Sequence, residues 1–404
     1  MKDRFVRVAV TKKAEHSIGK GHPWIYDTEV TPLGDAENGE IVDVFSQKGR
    51  WLGAGFYNAN SKIRVRLLSR NANDTFDDAF FRRRIAYAWA YRKSVLRPQE
   101  LTCCRVVFGE ADGLPGLTVD RFSEILVVQT LCLGLEKRKA ALMQALYDVL
   151  TADGQKIAGI YERNDVAIRE REGLSQGKGF YTLPGLETPA YTKTEIVENG
   201  LTYTVDFENG QKTGFFLDQK YTRQAVARLA RGKRVLDCFT HTGSFAMNAA
   251  KGGALHVHAV DVSEDAVALA RENAARNGLS EVIDCEAANV FELLPQIPPK
   301  TYDFIILDPP AFTKSRRTVS HAARGYKEIN LRAMKLLPRG GYLATCSCSH
   351  FMTPAHFEQM LRSAAFDAQV SLRQIEALQQ APDHPILWNV PETEYLKFYL
   401  FQVV

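Results

Sequence analysis

The sequence predicts a doubly wound α/β sheet in its second half, preceded by a small all-β barrel and an α+β segment. Three observations carry that expectation. From about residue 190 strand-like and helix-like runs alternate, as parallel strands with crossover helices require. Residues 1–70 instead hold short alternating runs (FVRVAV, GEIVDVF, WLGAGFY, KIRVRLL) punctuated by Gly, Asn and Pro. Between these regions, strands (LTVDRF, ILVVQTL, GIYERN) mix with the helical runs FFRRRIAYAWAYRKSVL and EKRKAALMQALYDVL. The implied boundaries are 1–72, 73–190 and 191–404.

At 404 residues, 45% hydrophobic and 24% charged, the chain has apolar material for several packed cores. No run approaches the roughly 18 consecutive apolar residues of a membrane span. The opening MKDRFVRVAV lacks the apolar core and cleavage site of a secretory signal, so a cytoplasmic location with no membrane partner is expected. Seven cysteines without CxxC-type pairs, three of them (Cys132, Cys238, Cys285) in apolar runs, read as reduced thiols, and no metal is expected.

The formal charge is +4, and residues 1–70, with twelve Lys/Arg against eight Asp/Glu, hold all of the excess. A basic first segment suits a polyanion such as RNA, and equally a solvated face. In KIRVRLL the side chains of Ile63, Val65 and Leu67 face one way and those of Lys62, Arg64 and Arg66 the other, which predicts one core side and one basic side. The next helix sets Phe81, Ile85, Ala88 and Trp89 at helical spacing behind a cap at Asn73 or Asp74. GLSQGKGFYTLPG, with Gly173, Gly177, Gly179 and Pro184-Gly185, reads as loop.

In the second half, KRVLDCF, HVHAVDVS, VIDCEAA, YDFIILDPP and GGYLATCSCS read as strands, and LKFYLFQVV as a late strand pairing into the same sheet. Ligands of such sheets bind at the carboxyl ends of the strands. The first strand ends in Asp237, and the turn from Cys238 to Gly243 leads into a helix near Ser244, with backbone amides able to hold a cofactor. A GxGxxG fingerprint is absent, which speaks against NAD. The second strand ends in Asp261, placed to accept hydrogen bonds from both ribose hydroxyls of a nucleoside, and the third leads to Asn289, whose amide can meet an adenine edge. The fourth ends in Asp308-Pro309-Pro310, where the prolines can continue neither ladder nor helix and fix a turn that presents Asp308 to a planar substrate. The fifth ends in Cys346-Ser347-Cys348. Cytosine C5 is a poor nucleophile until a thiolate adds to C6, and a cysteine beside Asp308 would supply that thiolate. Such a thiol must be partly exposed with a lowered pKa. Strand alternation puts Cys346 and Cys348 on one side, so spacing does not choose between them.

HPWIY (His22 to Tyr26), GEADGLPGLTVDRF (Gly109 to Phe122), KTGFFLDQ (Lys212 to Gln219), DCFTHTGSF (Asp237 to Phe245), LDPPAF (Leu307 to Phe312), RGYKEIN (Arg324 to Asn330) and CSCS (Cys346 to Ser349) follow one another in the chain. In this order they resemble the bacterial 23S ribosomal RNA cytosine-C5 methyltransferases. The resemblance implies an N-terminal PUA domain, which is an RNA-binding β-barrel, then a middle α+β domain, then a Rossmann-like class I methyltransferase domain that uses S-adenosyl-L-methionine. It implies Cys348, within Ser347-Cys348-Ser349, as the nucleophile, although Cys346 lies in a TCS triplet resembling that of another group of RNA cytosine-C5 methyltransferases. Asp308 would hydrogen-bond or protonate N3 of a flipped cytosine. The family pattern further places Asp237, Phe239, Thr242 and Gly243 at the methionine side, Asp261 at the ribose and Asn289 at the adenine, with Phe216, Asp218 and Gln219 closing the site. Lys212, Arg324, Tyr326 and Lys327 would touch RNA or shape the pocket. The implied partner is ribosomal RNA at a single-stranded or accessible loop; the oligomeric state, a homodimer included, stays open. Two other readings remain: a base methyltransferase without a covalent adduct, acting on guanine N7 or forming an N-methyl base, and a non-catalytic RNA-binding ribosome assembly factor.

Overall fold

The computed structural model describes residues 4–32, 34–313 and 318–404. The chain divides into two compact units, Met1–Ile196 with Val205–Leu217 and Pro382–Thr393, and Val197–Thr204 with Asp218–Ala381 and Glu394–Val404.

The first unit opens with β1 (Val6–Val10), α1 (Lys12–Gly19), β2 (Trp24–Tyr26), β3 (Val30–Pro32), β4 (Ile41–Ser46), β5 (Trp51–Tyr57) and β6 (Ile63–Ser69). These strands form one sheet in the order β2-β6-β5-β4-β1-β3. Its two edge strands, β2 and β3, are joined by the 3-10 turn Asp27–Glu29, so the sheet curls into a nearly closed barrel. Val8, Val10, Ile25, Val42, Val44 and Val65 fill the interior. The expected basic side of β6 needs a correction at Arg66. Its guanidinium meets Glu172 at 2.9 Å and Glu110 at 3.4 Å, both from later segments of the same unit. At Arg66 that side is covered rather than solvated, and a covered cation needs carboxylate partners, while Lys62 stays exposed.

After the barrel come α2 (Asp78–Val95), β7 (Cys103–Phe108), β8 (Leu117–Phe122), β9 (Ile125–Thr130), α3 (Leu133–Glu136), α4 (Lys139–Ala152), β10 (Gly159–Arg163) and β11 (Lys178–Tyr181). The strands form a sheet in the order β11-β10-β9-β8-β7. Phe81, Ile85, Ala88 and Trp89 of α2 are buried as their spacing requires, in one core that also takes Ile41, Ala54 and Phe56 from the barrel strands. The cap of α2 is neither Asn73 nor Asp74 but Asp77, which accepts the Phe80 amide at 2.9 Å. Asp74 is engaged elsewhere, by the Ser69 hydroxyl at 2.5 Å. The stretch read as loop contributes β11, which pairs antiparallel with β10 alone. An edge strand needs only one partner, so a short glycine-bearing run suffices. The two outlying segments are tied into this unit by polar bonds. Thr213 donates to Asp120 at 2.6 Å, and the buried Arg92 meets the Asp112 carboxylate at 2.5 Å and donates to the Asp383 carbonyl at 2.8 Å.

The hairpin of β12 (Lys193–Glu198) and β13 (Leu201–Asp206) spans the division between the units. The second unit continues with α5 (Lys220–Leu229), β14 (Arg234–Cys238), α6 (Ser244–Lys251), β15 (His256–Asp261), α7 (Glu264–Arg276), β16 (Ile283–Ala287), α8 (Val290–Leu293) and β17 (Phe304–Leu307). It ends with α9 (Val319–Leu336), β18 (Tyr342–Ser347), α10 (Pro354–Ala368), β19 (Leu372–Leu378) and β20 (Lys397–Val403). The sheet order is β16-β15-β14-β17-β18-β20-β19. β14 pairs in parallel with both β15 and β17, and β20 runs antiparallel to β18 and β19. Strand order therefore reverses beside β14, which opens a crevice at the carboxyl ends of β14 and β17. β19 escapes sequence reading because LRQIEAL is an edge strand with little apolar alternation.

Backbone proximity sets one testable limit on the barrel. A Cβ added at Gly55 would lie 2.2 Å from the Arg66 carbonyl oxygen, in the strand paired with it. Gly55→Ala should cost about 1–3 kcal/mol in urea unfolding; an unchanged midpoint would show that β5 and β6 separate freely.

Candidate active site

The turn after β14 departs from ordinary backbone geometry. Phe239, His241 and Gly243 have φ of 65°, 51° and 82°. A bulky or β-substituted residue at positive φ stores strain, which persists only where surrounding bonds hold it. Here those bonds run to two aspartates. Asp237, fully buried, accepts the Thr240 hydroxyl at 2.6 Å and the Ala246 amide at 2.9 Å through one oxygen. Asp261, at the tip of β15, accepts the His241 amide at 2.9 Å and the Ser263 amide at 3.0 Å. Gly243 precedes α6, where an added Cβ would lie 3.1 Å from that of Ala270. Thr242 is buried, and its carbonyl accepts from Asn273 at 3.2 Å.

A second group lies one and two strands further along the sheet. Asp308, just past β17, accepts the Gln219 amide group at 2.8 Å. Gln219 also takes the Thr222 hydroxyl at 2.8 Å and the Cys346 thiol at 3.9 Å on its own oxygen. Cys346 is sealed inside β18, whereas Cys348, one residue beyond the strand, is half-buried with its sulfur 4.0 Å from the Pro309 carbonyl oxygen. The strand end therefore separates two thiols that spacing left equivalent. Ser347, between them, points to α9 and donates to the Tyr326 hydroxyl at 3.2 Å.

Electrostatics distinguish the two groups as well. Burial pushes Asp237 up to about 7, and the Asp308 and Asp261 carboxylates add to the rise against the bonds from Thr240 and Ala246. Burial pushes His241 down to about 4, so its ring is neutral near pH 7. Burial raises the Cys346 thiol well above the ordinary range, with Asp308 and Cys348 reinforcing it, so Cys346 stays protonated. A protonated, enclosed thiol is a poor nucleophile.

The structure thus brings together Asp237, Phe239, Thr242, Gly243 and Asp261 around one turn, and Gln219, Asp308 and Cys348 around the neighbouring strand tips. Asp218 lies just before Gln219 and accepts the Tyr395 hydroxyl at 2.6 Å. Phe216 belongs to the first unit, where the Lys212 ammonium sits 4.7 Å from its ring centre. Asn289 is exposed and its amide is used locally, accepting the Phe291 amide at 3.1 Å as the cap of α8 and donating to Glu292 at 2.9 Å. Tyr326 is a core residue and Lys327 pairs with Asp367 at 2.6 Å. Sequence reading missed Thr240, which holds Asp237, and Lys397, a buried cation in β20. The signal for the latter was present, a lone lysine inside the apolar run LKFYLFQVV.

The raised Asp237 predicts a pH dependence. A carboxyl whose folded pKa exceeds its unfolded value disfavours the folded state as it ionises, so stability falls as pH rises between about 4 and about 7. Asp237→Asn removes that slope, and unfolding curves across the window should converge at low pH and diverge in favour of the variant towards neutrality; parallel curves would show that Asp237 titrates normally.

Comparisons with known proteins agree with the fold. A family model described as PUA-like domain matches residues 8–70, and one described as S-adenosylmethionine-dependent methyltransferase matches residues 114–402. The ribosomal RNA large subunit methyltransferase I of Shewanella denitrificans is 42% identical over 397 residues, covering 97% of this chain and 98% of its own. The protein of the same name from Klebsiella pneumoniae strain 342 is 38% identical over 404 residues, covering 99% of each. A structure described as a SAM-dependent methyltransferase from Streptococcus mutans superposes with a TM-score of 0.81 at 21% identity, over 98% of this chain and 100% of that one. A methyltransferase complexed with SAH gives 0.83 at 22% with the same coverage, and at such identities both show the fold alone. By the length of these matches, the chain belongs to the S-adenosylmethionine-dependent methyltransferases.

Proposed function

We propose that this enzyme methylates C5 of a cytosine in large-subunit (23S) ribosomal RNA through a covalent bond between Cys348 and C6 of the base. The observation that carries the reading is the contrast at the end of β18: Cys346 is sealed, while Cys348 is open beside the Asp308-Pro309-Pro310 turn. The names of the full-length relatives support ribosomal RNA as the substrate. The PUA-like segment supports an RNA-binding role for residues 1–72, with 73–190 as a middle domain and 191–404 as the catalytic part.

The residues present fit the cofactor. One oxygen of Asp237 is buried without a hydrogen-bond partner, which suits the cationic amino group of the methionine moiety, while the half-buried Asp261 suits the ribose hydroxyls. S-Adenosylmethionine supplies an electrophilic methyl group carried on a sulfonium. The Cys348 thiolate forms a bond to C6 as the C5–C6 π pair shifts into the ring, and Asp308, oriented by Gln219, hydrogen-bonds or protonates N3. C5 thereby becomes enamine-like and nucleophilic. Once C5 is methylated, its proton passes to a base, the electron pair re-forms the C5–C6 double bond, and the S–C6 bond breaks to release the thiolate. A base already single-stranded lowers the flipping cost of a few kcal/mol.

Methyl transfer from labelled cofactor to rRNA, with mass-spectrometric mapping of the product, tests this. Cys348→Ala should lose about 10³-fold or more in turnover, whereas Cys346→Ala retains it, and 5-methylcytidine should vanish from rRNA of cells lacking the gene. Full turnover in Cys348→Ala, or a methyl group found on a ring nitrogen, would replace the covalent reading with direct transfer.

A further inference from the structure

The sheet buries one lysine beside the open thiol. Lys397 begins β20 opposite Ser347 in the antiparallel pairing with β18, and only 4% of it is exposed. Its ammonium donates to the Ser349 carbonyl at 2.6 Å and the Tyr395 carbonyl at 2.7 Å, so the carbonyl one residue beyond Cys348 fixes its position. Among the described residues Lys397 forms no ion pair with a carboxylate. Two neutral carbonyls leave a buried cation electrostatically under-compensated, an expensive state unless an anion forms nearby.

We infer that Lys397 is a positioning residue for methyl transfer, which holds the Cys348 sulfur as a thiolate by placing a cationic ammonium next to it. The inference rests on the reading of Cys348 as nucleophile. The step is a deprotonation: the Cys348 S–H bond breaks, its electron pair stays on sulfur, and the proton passes to water, while Lys397 keeps its own proton and faces the new anion. Burial lowers Lys397 to about 8 while Cys348, and after it Glu394, pull the value back up, so the ammonium persists near pH 7. The other groups facing this corner either oppose a thiolate, as carboxylates do, or carry no charge. Asp308 sits on the β17 turn, Cys346 is kept protonated inside β18, and Tyr326 of α9 is pushed up to about 12 by burial, chiefly, and so stays neutral. Glu394, just before β20, adds a carboxylate. Of the charged groups named, Lys397 alone favours ionised sulfur.

Alkylation tests this without RNA or cofactor, so its outcome is independent of which base is methylated. The rate of iodoacetamide labelling of the Cys348 peptide, followed by mass spectrometry from pH 5 to 10, reports the thiolate fraction in the full-length protein. The unaltered chain should titrate below the roughly 8.5 of a free thiol. Lys397→Met, which keeps the aliphatic stem, should raise the midpoint by about one unit and slow labelling near neutral pH about tenfold, while Lys397→Arg stays close to the unaltered chain. A midpoint at or above that of a free thiol in the unaltered protein overturns the inference even if Lys397→Met fails to fold. An unmoved midpoint in folded Lys397→Met overturns it too, as does Lys397→Arg titrating like Lys397→Met. Lowered thiol titration in a protein that makes no 5-methylcytidine would leave the ion pair standing and remove the proposed substrate chemistry.

Discussion

Parallel strands joined by crossover helices must all end on the same edge of their sheet, and the chemistry of this protein depends on that constraint. Neighbouring strands lie about 4.8 Å apart. The order β15-β14-β17-β18 therefore sets Asp261, Asp237, Asp308 and Cys348 in a row, although more than a hundred positions separate Asp237 from Cys348 in the chain. Each side chain needs only to stand at the end of its own strand. The turn after β14 then couples two of these tips, because the His241 amide reaches Asp261 while Thr240 holds Asp237.

A row of carboxylates on a partly buried edge is costly, and the structure manages it unevenly. Asp237 is driven towards the neutral form by burial and by its acidic neighbours, and one of its oxygens lacks a partner. A cationic cofactor relieves both conditions, whereas an anionic dinucleotide would aggravate them. Asp308 is served instead by Gln219, which also receives the Cys346 thiol. One amide thus orients the acid and occupies the sealed cysteine, leaving the half-buried sulfur of Cys348 as the accessible thiol of this strand end.

The first unit shows the same economy of charge in a structural role. Arg66 and Arg92 are enclosed by carboxylates and carbonyls. These bonds join barrel, middle sheet and the returning segment Pro382–Thr393 into one packed body. An excess of lysine and arginine near the N-terminus therefore overstates the basic surface, because part of it is consumed internally.

Which strands exist in the catalytic sheet, and which residues stand at their ends, was legible in residue order for all but β19. Alternation of strand and helix, the paired prolines after Asp308 and the absence of GxGxxG are local signals, readable because backbone conformation and turn chemistry depend on near neighbours. The core face of α2 was equally plain, being a matter of spacing alone. Whatever depends on what covers a side chain was settled only by packing. The fold separated Cys346 from Cys348 by ending β18 between them, neutralised Arg66, used the Asn289 amide as a helix cap and buried Lys397 next to the open thiol. Burial and charge compensation arise between segments distant in the chain, and no periodicity records them.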